Sequence, residues 1–283
     1  MAKENVPFVN SVFHLTDFCD ASERAFAHAL AIALHRRACL TILHVKDRNL
    51  TSIEWAQFPA VRKTLERWNV LPEGSSREAV HEEVGVQVKK VDLLYHKVAK
   101  ATLGYLENHP HDLFVLATHG HKGISHWVKP SIAEQLATKT KTKTLFVSEN
   151  ARPFISLETG EITLRKIVVP VDRDPDAAAV LEYASRAVET VEGNLEIDVL
   201  YVGDDDYLKE IDLPSKERVV WQKVQRSGKI VETIVRYAEE VSADMIAMAT
   251  RGQDGILDII RGSVTEQVLH EAPCPILAVP ALS

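Results

Sequence analysis

The chain has 283 residues, 46% of them apolar and 26% charged, with a formal net charge of −7. That length suits two domains of about 140 residues each, and the composition excludes a disordered or fibrous chain. An acidic chain without a dense basic stripe is a poor nucleic-acid partner, and no apolar run approaches the ~20 residues of a membrane helix.

The elements read as strands alternating with helices. Ser11–Thr16 is a short β-type run ending at Asp17, and Ser22–Arg37 follows as a helix with Asp20 or Ser22 as its N-cap. Cys39–Val45 is an uninterrupted apolar strand of the kind buried on both faces of a parallel sheet. A polar helix is expected over Ile53–Asn69, an alternating strand over Val84–Val91, a helix over Val91–Asn108 and a strand at Leu113–Ala117. A helix from Ser131 and a strand at Thr144–Val147 close the first half. Ser148–Thr163, with Pro153 and Gly160 and no sustained period, reads as a linker. The second half repeats the order. Arg165–Val171 is a strand, and Asp174-Pro175 is expected to start a helix that runs to Glu192. Strands follow at Leu195–Val202 and Arg218–Val224, then a helix at Lys229–Val241 and a strand at Met245–Ala249. The helix Ser263–His270 and the strand Ile276–Val279 come last. This alternation means parallel sheets wrapped by helices on both faces, one in each of two domains, 1–150 and 151–283.

The halves are copies. His111–Gly120 (HDLFVLATHG) and Ala243–Gly252 (ADMIAMATRG) lie 132 positions apart, and the match continues without a gap. Gly123, Ser131, Glu134, Gln135, Leu145 and Val147 meet Gly255, Ser263, Glu266, Gln267, Leu277 and Val279. A period this long marks duplicated domains rather than a solenoid. The copies have diverged in charge. The first 150 residues carry 19 Lys and Arg against 16 Asp and Glu, the remainder 14 against 24, and eleven of twelve histidines lie in the first half.

The candidate site lies in the second half. Ala249-Thr250-Arg251-Gly252 is followed, nine residues on, by Gly262-Ser263 at the head of a helix. Glycine lets a backbone N–H approach an oxyanion, and a helix N-terminus favours negative charge. Arg251 adds a cation. Asp172, after Pro170-Val171, stands where a carboxylate can accept hydrogen bonds from a ribose. In an open α/β sheet, ligands bind off the carboxyl ends of the strands at the switch point. No Walker A motif and no GxGxxG occurs. The plain alternative is that Gly252 closes a strand, Gly262 turns the chain and Ser263 caps a helix.

These motifs resemble the universal stress proteins in their tandem two-domain form. The residues that carry the likeness are Ala243–Gly252 with Gly262-Ser263, Val169–Asp172, Leu200–Val202 and the tail Ala272–Pro280; in the first half they are Leu15–Asp17, Leu43–Val45 and Ala117–Gly120. The resemblance implies a flavodoxin-like five-stranded sheet per domain, pairing of the domains through their last strands, and binding of ATP or AMP, with magnesium as a possible companion. It places Pro170, Val171, Asp172, Val202, Met248, Ala249, Arg251, Gly252, Gly262, Ser263 and Val264 at the nucleotide: Asp172 on the ribose, Val202 against the adenine, and Gly252, Gly262, Ser263 and Val264 on the phosphates. Ala249 replaces one glycine of the family pattern. In the first copy Ala117 and Pro130 replace two, and a proline has no N–H to donate, so that copy reads as degenerate.

Other features have blander readings. His109, His111, His119, His121 and His126 invite a metal, yet His111 and His119 bracket a buried strand and so point from opposite ends of it. Lys139–Thr144 is a basic patch or a solvated helix end. Asp204-Asp205-Asp206 is a cation site or a solvated loop. Three cysteines without CxxC spacing suit reduced thiols, and Cys274, between two prolines, has no base to activate it. The N-terminus MAKENVPFVN lacks a signal-peptide pattern, so a cytoplasmic protein is expected. The expectation is a regulatory, non-catalytic module that binds an adenine nucleotide in its C-terminal domain, with intrachain domain pairing, a possible homodimer and an unnamed protein partner. Its rivals are a nucleotide-independent scaffold, a slow ATPase using Asp254 or Asp258, and a metal-responsive module built on the histidines.

Overall fold

In the computed structural model, residues 9–46, 58–95, 97–118, 132–250 and 264–281 are described. Ten strands form one sheet. They are β1 (Ser11–Leu15), β2 (Cys39–Lys46), β3 (Val88–Leu94), β4 (Leu113–Thr118), β5 (Lys143–Ser148), β6 (Lys166–Val171), β7 (Leu195–Val202), β8 (Val219–Arg226), β9 (Met245–Thr250) and β10 (Ile276–Pro280). The helices are α1 (Asp20–Arg36), α2 (Val61–Arg67), α3 (Ala79–Glu82), α4 (Val98–Asn108), α5 (Ile132–Thr140), α6 (Ala178–Arg186), α7 (Ile230–Glu240) and α8 (Val264–Glu271). The strand order is β3-β2-β1-β4-β5-β10-β9-β6-β7-β8. Each half is therefore a parallel sheet of five strands with the same internal order, as expected of two flavodoxin-like units.

The halves join edge to edge. β5 and β10 pair antiparallel, with Phe146 opposite Ile276, Leu145 opposite Leu277 and Thr144 opposite Ala278. Under the 132-residue repeat Leu277 is the counterpart of Leu145, and the flanking pairs are counterparts of one another. The contact is thus self-complementary, like an isologous dimer interface, with its pseudo-twofold axis through the two leucines. The pairing also covers the open edge that each half would otherwise present.

Two apolar layers cover the sheet, and each crosses the junction. On one face Leu30 and Ala33 of α1 and Val180 and Leu181 of α6 pack on Val115, Leu145, Ile167 and Leu277. On the other, Leu106 of α4, Leu136 of α5, Ile234 of α7 and Val268 of α8 cover Phe114, Phe146, Val168 and Ile276. A charged cluster ties α1 to the second half: Arg36 pairs with Glu189 at 3.0 Å, and Lys216 meets the same carboxylate at 2.6 Å.

Each half starts its first strand with the same device. The Asp112 carboxylate accepts the N–H groups of Asn10 and Ser11 at 2.8 and 3.0 Å. Its repeat counterpart Asp244 accepts those of Arg165 and Lys166 at 2.8 and 2.9 Å. These N–H groups precede the sheet ladder, and a carboxylate gives them stronger bonds than a neutral acceptor would.

Several local expectations are corrected. The cap of α1 is neither Asp20 nor Ser22 but Cys19, whose Sγ accepts the Ser22 N–H, while the Ser22 hydroxyl turns inward to Thr16 at 2.9 Å. Asp174-Pro175 does not start α6; the helix begins at Ala178, whose N–H is taken by Asp176 at 2.8 Å. That helix gives way to a 3₁₀ turn over Ala187–Thr190 instead of running to Glu192. Val91 belongs to β3, where it is opposite Leu43, and α4 starts only at Val98. The pull of the sheet on Val91–Leu94 outweighs their helical spacing. Of the helix expected over Ile53–Asn69, α2 occupies Val61–Arg67, and residues 53–57 lie outside those described.

Between β7 and β8 the second half has no α-helix. Residues 203–218 carry only the 3₁₀ turn Tyr207–Lys209. The Lys223 ammonium of β8 donates to the carbonyls of Leu208 and Ile211 at 2.7 and 2.8 Å, supplying donors to a loop that no helix ladder satisfies.

Candidate functional site

In each half the chain builds outward from the first strand to the third, then crosses back to place the fourth strand on the other side. In the second half that switch point lies between β6 and β9, where open α/β sheets bind ligands. β6 is registered with β7 along its whole length, from Lys166 opposite Glu196 to Val171 opposite Tyr201. Against β9 it is registered at two positions only, Ile167 with Met245 and Val168 with Ile246. Pro170 contributes to this early end, because it has no N–H to give to a neighbouring strand. β9 stays paired with β10 out to Thr250 opposite Pro280. The carboxyl ends of β6 and β9 therefore run on with no ladder between them.

Asp172 stands at that opening. Its carboxylate is exposed, and Oδ1 accepts the N–H of Arg173 at 2.7 Å. Its carbonyl accepts the Tyr207 hydroxyl at 2.7 Å, which pins the end of β6 to the loop after β7. Val202, half-buried at the end of β7, borders the same opening, as does half-buried Ala249 on β9. Val171 and Met248 are buried in opposite core layers, so they offer backbone rather than side chain. Val264 opens α8. Arg251, Gly252, Gly262 and Ser263, together with Asp254 and Asp258, lie outside the described residues, as do Pro130 and Ser131 of the first copy.

Sequence reasoning missed an aromatic and charged cluster beside Asp172. Arg173 pairs with Asp205 at 2.9 Å and lies 4.6 Å from the centre of the Tyr207 ring. Tyr201 and Tyr207 meet edge to face at 5.2 Å. The ion pair holds the Asp205 carboxyl below the usual carboxylate range, the largest contribution being the hydrogen bond from Arg173. A side chain at Gly203 would meet the tip of the Tyr201 ring at 2.5 Å, so any larger residue must displace that ring. The visible signal was the aspartate triplet, but its members diverge. Asp204 accepts from Ser227, Asp205 pairs with Arg173 and Asp206 pairs with Lys209, so they do not converge on a cation.

In the first half the switch point lies between β1 and β4, and the ladder there runs four residues, from Val12 opposite Leu113 to Leu15 opposite Leu116. Phe18 holds the place of Arg173 and stacks on His44 at 4.4 Å. The histidines are dispersed: His109 stacks on Tyr105, His111 reaches Thr41 at 2.9 Å, and His119, His121 and His126 lie outside the described residues. Among the described residues no group of three or more His, Cys, Asp or Glu is placed to hold a metal. Cys274 is buried, which pushes its thiol up to about 12, and no helix among the described residues is long and apolar enough to cross a membrane.

Comparison with known proteins agrees with this architecture. The model of the universal stress protein family matches residues 12–148 and 208–280. Universal stress protein MJ0531 of Methanocaldococcus jannaschii is 30% identical over 149 residues, 44% of this chain and 86% of that protein. Universal stress protein Sll1654 of Synechocystis is 27% identical over 139 residues, 43% of this chain and 88% of its own length. A crystal structure of a universal stress protein from Archaeoglobus fulgidus superposes on 98% of both chains with a TM-score of 0.64 at 18% identity, which shows a shared fold across both halves. With one family match in each five-stranded half and a solved relative spanning the full chain, the protein belongs to the universal stress protein family.

Proposed function

We propose that this chain is a regulatory module that binds one adenine nucleotide, ATP or AMP, in the domain formed by residues 151–283, and that residues 1–150 form a copy with a degenerate site. The observation that carries this reading is the unladdered end of β6 and β9 with the exposed Asp172 carboxylate at its lip. Asp172 would accept ribose hydroxyls, and Val202 would pack on the base. The backbone N–H groups of Gly252, Gly262, Ser263 and Val264 would meet the phosphates, with Arg251 adding charge and magnesium entering on the phosphates themselves. Pro170, Val171, Met248 and Ala249 would shape the floor.

Binding without turnover follows from the donor set. N–H groups stabilise charge already present on bound phosphates, and uniform stabilisation of ground and transition states does not raise kcat. Asp172 is committed to its neighbour's N–H and to the ribose position. A regulatory role would then act through the surface that the nucleotide orders for a protein partner. The slow-ATPase alternative rests on Asp254 and Asp258.

Calorimetry with ATP and with AMP tests the reading. One site per chain is expected, with Asp172→Ala weakening it about tenfold, the loss of one or two hydrogen bonds to a charged acceptor. Gly262→Pro should abolish binding, and phosphate release with magnesium should stay at background. Two equal sites, or none, would overturn the proposal, and turnover lost in Asp254→Ala would replace it with an ATPase.

A further inference from the structure

A half-open cavity of about 260 Å³ lies in the first half between α1 and α2. Its floor is Thr16, at the end of β1, and Phe26 of α1, both almost fully buried. Phe18, Pro59 and Ala60 form apolar walls. Phe18 is held in place by its stack on His44, with a left-handed backbone at φ 66°. At the rim stand Lys63 and Arg67, one turn apart on α2, facing Glu23 of α1. None of these three charges has an ion-pair partner among the described residues.

Among the described residues, the second half is built differently at the corresponding place. The strand registers equate Leu15 with Pro170, and α1 starts five residues after Leu15 whereas α6 starts eight after Pro170. The turn that brings Cys19 and Glu23 to the rim is thus missing, and α2 is replaced by the 3₁₀ turn at Tyr207. There the Tyr207 ring packs against Tyr201 and under Arg173, with its hydroxyl on Asp172. The elements that wall the cavity, the early start of α1 and the helix α2, thus belong to the first half.

We propose that this cavity binds a small aromatic mono-anion, an aryl carboxylate or sulfonate, with its ring system between Phe18, Phe26 and Pro59 and its charge toward Lys63 and Arg67. The size argues for one or two rings, since an apolar cavity of about 150 Å³ already accepts benzene. Two cations against one carboxylate favour a single negative charge, and a polyphosphate would meet Glu23. Contact is non-covalent: burial and the hydrogen bond with Asp17 raise the Cys19 thiol above its ordinary value, so it stays protonated near neutrality.

The probe is 5-(dimethylamino)naphthalene-1-sulfonate, paired with its uncharged relative 1-(dimethylamino)naphthalene. The native chain should bind one equivalent of each with blue-shifted emission, and saturating ATP should leave both in place. The double variant Lys63→Glu, Arg67→Glu should weaken the sulfonate about tenfold and spare the neutral probe. Ala60→Trp should exclude both while the far-ultraviolet circular dichroism stays native. Absence of binding, displacement by ATP, or emission indifferent to Ala60→Trp and to the charge reversal would each overturn the proposal.

Discussion

The two switch points of this molecule share a sheet order and differ in whether they are closed. In the first half four registers tie β1 to β4. His14 adds a bond from its Nδ1 to the Val115 carbonyl at 3.0 Å, and its Nε2 lies 3.4 Å from Ser22. In the second half the ladder stops after two registers, and the strand then passes through Pro170. A duplicated fold can keep its frame while a few residues at a strand end decide whether the crevice is available. The surroundings diverged in step: an imidazole and two phenylalanines in one half, an arginine and two tyrosines in the other.

The largest expected difference between the halves is in acid. His14 and His28 are completely buried, and that burial lowers each imidazole to about 4. The unfolded chain takes up protons below pH 6.5, whereas the folded one resists until pH 4. The stability these groups confer is therefore fully present above pH 6.5 and lost as the pH falls toward 4, about 3 kcal/mol for each. Urea midpoints from pH 7.5 to 4 should show this loss, with His28→Leu removing about half of it. A midpoint independent of pH over this window would show that neither histidine is held neutral. Both histidines lie in the first half, so probes there should respond most.

Next in size is the junction. Leu145→Ala and Leu277→Ala remove counterparts at the pseudo-twofold axis, both nearly inaccessible to solvent. Each should cost about 3 kcal/mol, and the double variant should cost less than the sum because the two side chains share one contact. Unequal losses would mean that the junction is symmetric in register but not in packing.

The strand-starting aspartates come third. Asp112→Asn and Asp244→Asn keep the shape and remove the charge, so each should cost about 1 kcal/mol. Hydrogen exchange should speed up at Ser11 in the first variant and at Lys166 in the second, each confined to its own half. Exchange that rises in both halves would show the sheet to be a single cooperative unit.

A fourth comparison concerns Gly203. Ala at this position would push on the Tyr201 ring and should destabilise by about 1–3 kcal/mol if the ring cannot move, or by less if it rotates away. If the backbone yields instead of the ring, Val202 next to it shifts and nucleotide affinity should fall; a shifted backbone with unchanged affinity would remove Val202 from the site.

The strands were legible because long apolar runs admit one arrangement. Leu195–Val202 and Ile276–Val279 fall where the residues place them, and the 132-residue repeat identified β5 and β10 as counterparts before their pairing was visible. The exposed carboxylate of Asp172 was legible too, from its place after an apolar strand. The cap at Cys19 was not, because a thiol is a weak acceptor and Asp20 and Ser22 are better candidates on chemistry alone. The Arg173–Asp205–Tyr207 cluster was hidden because its members are 32 to 34 residues apart and meet only when β6 and β7 lie side by side.

By itself the sequence determined that there are two α/β copies, which strands they contain and which copy retains the glycines at its loop, since periodicity and residue type act locally. The tertiary structure decided that the copies share one ten-stranded sheet, that Leu145 faces Leu277, and that β6 parts from β9 where β1 stays with β4. Those outcomes depend on register between strands distant in the chain. Register is set by the summed packing of both sheet faces, which no local pattern contains.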